Sequence, residues 1–507
     1  MYSASIVDTF ESIDSTLANL FTLFYDNPLQ MNVIYALAAA GIVFTIWTRG
    51  VQLRFFPAAL KAVFSSRADA EGGISSFQAF AIGLASRVGT GNIAGVAIAI
   101  VLGGPGAVFW MWIVAILGMS TAFIEAVLAQ LFKIRSKDGS FRGGPAYYIR
   151  DALGSKRVGA VFAIFLIFAY GFSFNMVQAN TISNVVSTQF NVPTWSVALV
   201  LLLISAPIIF AGIKPVARFA EVLAPSMAIA YILFAVVIIG LNVMDVPAVL
   251  VQIVHSAFGW DQVVGGGVGG FMAALTNGVK RGLFSNEAGM GSVPNAAATA
   301  TVRHPVQQGL IQTLGVFVDT MIVCTATACI ILFSGLYNPG MSSNDGAALT
   351  VEAISTNLGT WVEIPMAIII FVFGYSSVLG NYTYAEINWN YLRGMNASTV
   401  PLKALVLVSV GLGSVISLKA AWNLADIATA FMTMLNIVAL FLLGRYAVGA
   451  LRDWVDQRRF SDAPPVFCVT DNKYFPQGLR GSTVWSREAV KQQWGEIPRY
   501  YGVQKEG

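Results

Sequence analysis

Arg87-Val-Gly-Thr-Gly-Asn-Ile-Ala-Gly-Val-Ala97 and Arg281-Gly-Leu-Phe-Ser-Asn-Glu-Ala-Gly-Met-Gly291 are two versions of one pattern. Arg87, Asn92, Ala94 and Gly95 recur 194 residues later as Arg281, Asn286, Ala288 and Gly289, and the same offset carries Glu125 onto Asp319. Each copy lies inside a long apolar segment, where glycine weakens a helix and arginine is expensive. Matching interruptions in the two halves of a membrane chain point to a substrate site built from broken helices.

Composition supports the membrane setting. Of 507 residues, 56% are hydrophobic and only 11% are charged. The apolar runs are about 20 residues each, which matches a bilayer rather than a soluble core. Three cysteines, Cys324, Cys329 and Cys468, give no disulfide framework or metal spacing and read as small hydrophobes. The two histidines, His255 and His304, lie outside both interruptions, which argues against a zinc or histidine-based catalyst.

Residues 1–28 contain no lysine or arginine and therefore lack the basic start of a signal peptide. Ile6, Phe10, Ile13, Leu17, Leu20 and Phe24 recur at helical spacing, which predicts an amphipathic helix on the membrane surface. Eleven spans are expected, at about 31–48, 76–102, 107–132, 158–188, 195–212, 219–241, 264–290, 308–334, 363–391, 401–418 and 421–447. The loops on one side hold nearly all the basic residues, and those on the other hold only Lys419. This asymmetry marks the basic side as cytoplasmic, with the amino end outside and the carboxyl end inside. An odd number of spans agrees with that assignment.

The first interrupted segment then runs outward and the second inward, so the halves are inverted copies. Phe168-Ala-Tyr-Gly-Phe-Ser-Phe-Asn-Met-Val-Gln178 also aligns with Phe371-Val-Phe-Gly-Tyr-Ser-Ser-Val-Leu-Gly-Asn381, which puts amides at matching depth in both third helices. The expected organisation is an outer amphipathic helix (1–28), an extra span with its loop (29–70), two five-helix repeats (71–262 and 263–450) and a polar cytoplasmic tail (451–507). The fold class is all-α and polytopic.

The chemistry is expected at the interruptions. Gly89 and Gly91 let the backbone leave the helix, freeing amides that suit a carboxylate and carbonyls that suit Na⁺. A Gly-rich packing face is the bland alternative. A dinucleotide fingerprint is also matched by Gly89-x-Gly91-x-x-Ala94, but no strand precedes it. The second interruption, read as Arg281 to Asn286, would place Phe284 and Ser285 near a substrate. Arg87, Glu125, Lys280, Arg281, Glu287 and Asp319 fall within the membrane and need partners or water. Arg87 can pair with Glu287, and Glu125 can accept hydrogen bonds from unwound amides. Alternatively, these charges only hold the bundle together, or a carboxylate carries a proton. Ser376 and Ser377 either bond back to their own helix or ligate Na⁺. Gln178 and Asn381 either bind substrate or join helices.

Four motifs together resemble the sodium:alanine symporter family: Arg87-Val-Gly-Thr-Gly-Asn-Ile-Ala-Gly95, Gly143-Gly-Pro-Ala-Tyr-Tyr148, Asn175-Met-Val-Gln-Ala-Asn180 and Gly282-Leu-Phe-Ser-Asn-Glu-Ala-Gly-Met-Gly-Ser292. The resemblance covers about residues 30–450. It implies the bacterial leucine-transporter fold, with two inverted five-helix repeats preceded by one helix. It further implies Na⁺-driven uptake of alanine, glycine or a similar small amino acid across the bacterial cytoplasmic membrane, with no other cofactor, no nucleic-acid partner and no enzymatic step. By motif position, Thr90 and Gly91 would hold the substrate carboxylate. Phe174, Gln178, Phe284, Ser285 and Asn381 would line the pocket. The carbonyls of Ala85 and Val88, with Ser376 and Ser377, would form a sodium site. The rivals are a proton-coupled carrier using Glu125, Glu287 or Asp319, a membrane-embedded enzyme, and a channel.

Overall fold

The computed structural model describes residues 28–65, 74–136, 139–259, 267–339, 341, 346–461 and 463–495. The amphipathic helix expected within 1–28 lies almost wholly outside them. The described chain is mostly helical, with one two-stranded antiparallel hairpin pairing Ile134 with Arg142 and Arg135 with Phe141.

The described residues open with α1 (Pro28–Trp47) and, after a single turn, α2 (Phe56–Ser65). The first interrupted segment is α3 (Ser76–Arg87), a one-turn 3₁₀ element at Thr90–Asn92, and α4 (Ala94–Gly103). Ser75 and Gln78 start α3 with a reciprocal capping box, satisfying amides that the first turn cannot. There follow α5 (Gly106–Leu131), α6 (Lys156–Phe190), α7 (Thr194–Ala211), α8 (Ile213–Leu241) and α9 (Val246–Ala257). The second half holds α10 (Gly267–Asn286), α11 (Val293–Thr299), α12 (Pro305–Ser334), α13 (Gly346–Leu358), α14 (Glu363–Arg393), α15 (Val400–Gly413) and α16 (Leu418–Phe460). Among the described residues seven helices are long and apolar enough to cross a membrane, or eight with α3 and α4 joined. Helix α1 and α15 are apolar but shorter.

The two halves meet where α10 leans on α5. A Cβ on Gly278 would lie 2.3 Å from the Ala107 carbonyl oxygen, and one on Gly282 would lie 2.8 Å from Val114 Cγ1. Only glycine at these two positions, one helical turn apart, lets the backbones approach this closely.

One expectation needs correction here. The second interruption does not run from Arg281 to Asn286, since α10 is continuous through Asn286. The chain turns instead at Glu287 (φ 55°), Gly289 (φ 87°) and Gly291 (φ 84°), all in the left-handed region. Arg281 to Ser285 contain only one glycine, and α5 packs against them, so the helix is held. The tail expected at 451–507 is folded in its described part. Helix α16 carries its first ten residues, and the segment after it docks on the end of α5. Trp485 is 1% exposed and donates its indole N–H to the Gln130 carbonyl at 2.8 Å. Lys133 lies over the rings of Phe141 and Trp485 and donates to the Ala300 carbonyl at 2.8 Å. An apolar anchor of Phe467, Phe475 and Trp485 inside a polar stretch gives the segment its own small core.

Candidate functional site at two helix breaks

Helix α3 ends because Val88 (φ −77°, ψ 89°) and Gly89 (φ −139°, ψ −153°) leave helical geometry, and α4 departs at 54° to it. The side chain of Asn92 folds back, its Oδ1 accepting the Gly89 amide at 3.1 Å. Gln178 of α6 faces the break, and its Oε1 accepts from the Thr90 amide at 3.1 Å and the Thr90 hydroxyl at 2.8 Å. From α14, the Ser377 hydroxyl donates to the Ala85 carbonyl at 2.8 Å. A Cβ on Gly89 would fall 2.3 Å from that hydroxyl oxygen. Ser377 also lies 3.0 Å from the Phe373 carbonyl of its own helix, to which Ser376 donates at 2.9 Å.

An aromatic layer covers the other side of the break. Phe284 lies against Gly91, stacks on Phe174 at 4.4 Å between centroids, and meets Trp422 at 4.4 Å. Tyr170 continues the stack onto Phe174 at 4.5 Å. A cavity of about 50 Å³ opens beyond Phe284, towards α1 and α16. Arg281 lies 4.2 Å from the Trp422 ring centroid, and Lys280 pairs with Asp426 at 2.8 Å.

Ser285 and Asn381 point away from the Gln178 contact. Ser285 donates to Asp319 Oδ2 at 2.5 Å, while Asn92 Nδ2 donates to Asp319 Oδ1 at 2.7 Å. Thr320 donates to the same carboxylate, and Cys324 lies 3.1 Å from Ser285. Cys324 is thus part of a polar cluster rather than a plain hydrophobe. Asn381 accepts from Ser86 at 2.8 Å and donates to Asn175 at 3.0 Å.

At the second break Glu125 receives the amides of Gly289 and Gly291, each at 2.9 Å, and the side-chain amide of Asn436 at 2.6 Å. Asn436 also donates to the Gly289 carbonyl at 2.9 Å and accepts from Tyr148. Glu287 is held by Ser292 at 2.6 Å and Ser86 at 3.1 Å. The Arg87–Glu287 ion pair does not form: Arg87 turns to Gln312, donating to its carbonyl and side-chain oxygens at 3.4 and 3.3 Å. With its two serines, Glu287 has donors enough of its own. Arg87 still attracts all three buried carboxylates through space.

The model of the family described as "Sodium:alanine symporter family" matches residues 14–468. The chain belongs to that family. An uncharacterized transporter of Haemophilus influenzae is 45% identical, covering 91% of this chain and 95% of its own. A probable sodium/glutamine symporter of Bacillus subtilis is 44% identical, covering 86% and 90%. A sodium/alanine symporter of Methanococcus maripaludis is 38% identical, covering 84% and 95%. The chain is thus an integral membrane protein of a transporter family.

Several residues at this symporter-family site escaped the sequence reading. Trp422, Asp426 and Asn436 belong to α16, Asn175 and Tyr148 belong to motifs already quoted, and Ser86 immediately precedes the first of them. An asparagine at 436 and an aspartate at 426, each inside an apolar run, were the available signals.

Proposed function

We propose that the chain is a secondary active transporter that couples Na⁺ entry to uptake of a small neutral amino acid by alternating access. The observation that carries this is the first break. There, two glycines leave no room for a side chain, and groups from α6, α10 and α14 converge on one unwound turn. The α-carboxylate of the substrate takes the amides of Thr90 and Gly91, displacing the Gln178 oxygen that occupies the Thr90 amide. Gln178, released, is in reach of the α-ammonium. Phe174, Phe284 and Trp422 form the wall for the side chain, and its closeness to Gly91 favours alanine or glycine over a longer residue. Ser285 and Asn381 act one layer out, orienting Asn92 and Ser86.

Na⁺ is held where the Ser377 hydroxyl meets the Ala85 carbonyl, with the Val88 carbonyl and Ser376 as further oxygens. This hard-oxygen set suits an alkali cation. Ion and substrate share the same unwound turn, so each orders the backbone that the other binds, which gives coupling without direct contact.

The repeat is inverted in this reading, with eleven crossings, the amino end outside and the carboxyl end cytoplasmic. Reciprocal contacts support it: Glu125 of the first half holds the amides of the second break, and Asp319 of the second half holds Asn92 of the first. Rocking one half against the other would move both breaks together.

A second reading, proton coupling, is favoured by one specific observation: Glu125, Glu287 and Asp319 are all buried, and burial favours the protonated form of a carboxylate, although the Arg87 charge opposes it. Competition in proteoliposomes tests the substrate class. Unlabelled glycine and L-alanine should suppress labelled L-alanine uptake more strongly than L-glutamine does. Stronger suppression by glutamine would overturn the small-pocket assignment.

A further inference from the structure

The turn after α1 and the last turns of α16 enclose a groove of about 410 Å³, lined by Arg54, Phe55, Pro57, Trp454, Arg458 and Arg459. The rings of Phe55 and Trp454 meet edge to face at 5.3 Å. Arg54 lies 4.7 Å from the Phe55 centroid and Arg458 lies 4.6 Å from that of Trp454. All three guanidinium groups belong to exposed residues. Among the described residues none has a carboxylate within ion-pairing distance, although two acids lie on the same helix turns. Asp456 is taken by Lys473 at 2.8 Å and by Tyr474, and Asp453 bonds His304.

Asp456 acts on Arg459 through space without pairing with it, so three arginines lining one groove still repel each other, and an anion relieves that. Position says which anion. The apolar run of α16 ends near residue 447, so at 1.5 Å per residue Trp454 stands about 10 Å past it, at headgroup depth. A tryptophan beneath arginines is the side-chain pairing expected at that interface. Leu53 and Phe460, next in the chain to Arg54 and Arg459, are each 73% exposed and offer apolar surface for acyl chains. A soluble anion would have no use for them.

We propose that this groove binds the phosphate headgroup of an anionic phospholipid, tying α1 to the end of α16. The inference needs only that the chain is a membrane protein and is independent of what it transports. The phosphate accepts from Arg54, Arg458 and Arg459, and the acyl chains descend past Leu53 and Phe460.

The test is native mass spectrometry of the detergent-purified full chain, titrated with phosphatidylglycerol, phosphatidylcholine or inorganic phosphate. The triple variant Arg54→Gln, Arg458→Gln, Arg459→Gln should bind phosphatidylglycerol about a hundredfold more weakly, from about fivefold per arginine. A control of equal charge change, Lys156→Gln, Arg157→Gln, Arg393→Gln, should leave that affinity unchanged. Equal binding of phosphatidylglycerol by wild type and triple variant would overturn the proposal. So would equally tight binding of phosphatidylcholine, or displacement of the lipid by millimolar inorganic phosphate. If the triple variant is not monodisperse, Arg459→Gln alone should show the fivefold loss, and an unchanged affinity would count against the site.

Discussion

Replacing Gly91 by alanine presses one methyl against the Phe284 ring. The new Cβ would lie 3.1 Å from Phe284 Cδ1 and 3.2 Å from Cε1, inside the roughly 3.5–4.0 Å of ordinary carbon contact. Phe284 must shift by a few tenths of an ångström, and Phe174 and Trp422, each 4.4 Å away between centroids, resist that on two sides, leaving only the small cavity beyond the ring. Overpacking of this kind costs about 1–3 kcal/mol. If the bound state carries that cost, the half-saturation concentration for alanine rises about 5- to 150-fold. Gly91→Val, with two more carbons, should abolish uptake. Labelled alanine uptake in proteoliposomes, normalised to inserted protein, is the assay. Phe284→Leu added to Gly91→Ala should restore part of the loss, a coupling that independent sites would not show. A Gly91→Ala protein that inserts normally and transports alanine with unchanged half-saturation would refute the reasoning.

Three more outcomes are expected. Ser377→Ala, which removes the hydroxyl from the Ala85 carbonyl, should raise the Na⁺ half-saturation about three- to tenfold. Ser376→Ala removes a hydroxyl that does not reach the Ala85 carbonyl, so as the more peripheral Na⁺ oxygen it should raise the half-saturation less, by under about threefold; equal effects would remove the distinction. Glu125→Gln keeps the shape but turns one of the two acceptor oxygens into an NH₂ donor, which loses the bond from the Gly289 or Gly291 amide and leaves the other without its charge, so it should cost about 1–3 kcal/mol, read as a lower melting temperature in detergent. An unchanged melting temperature would mean the clamp is not structural. Burial pushes the pKa of His304 below its usual 6.5, against a smaller upward pull from Asp453. The unfolded chain therefore binds the proton more readily. This contribution to stability is complete above about pH 6.5 and is lost as pH falls through the lower folded value. His304→Gln should flatten that acid limb in a melting series, and an unaltered limb would assign it elsewhere.

The first break was legible because Gly89-x-Gly91 interrupts an otherwise apolar helix. The second was misplaced by several residues for a physical reason. Its turn starts at Glu287 in the left-handed region, a conformation that carries no signature when the residue is not glycine. The five- and eight-residue π-helical stretches Ala169–Ser173 and Phe317–Cys324 were equally invisible. They re-phase α6 and α12 beside the site, so Phe174 and Asp319 face it from helices whose apolar spacing looks ordinary. The Arg87–Glu287 pair was a fair expectation from depth alone, but depth does not reveal that Ser86 and Ser292 already serve Glu287. Trp422 and Asn436 reach the site only through the tertiary placement of α16. The docked tail was missed because its aromatic anchors are scattered through a polar stretch.

The measurement that bears most directly on the central claim is accumulation of labelled alanine by proteoliposomes, with and without an inward Na⁺ gradient at constant pH. The account predicts concentrative uptake that requires Na⁺ and vanishes when choline replaces it. Concentrative uptake indifferent to Na⁺ and driven by a pH gradient would contradict it, and would move the coupling from the Ser377–Ala85 site to the buried carboxylates.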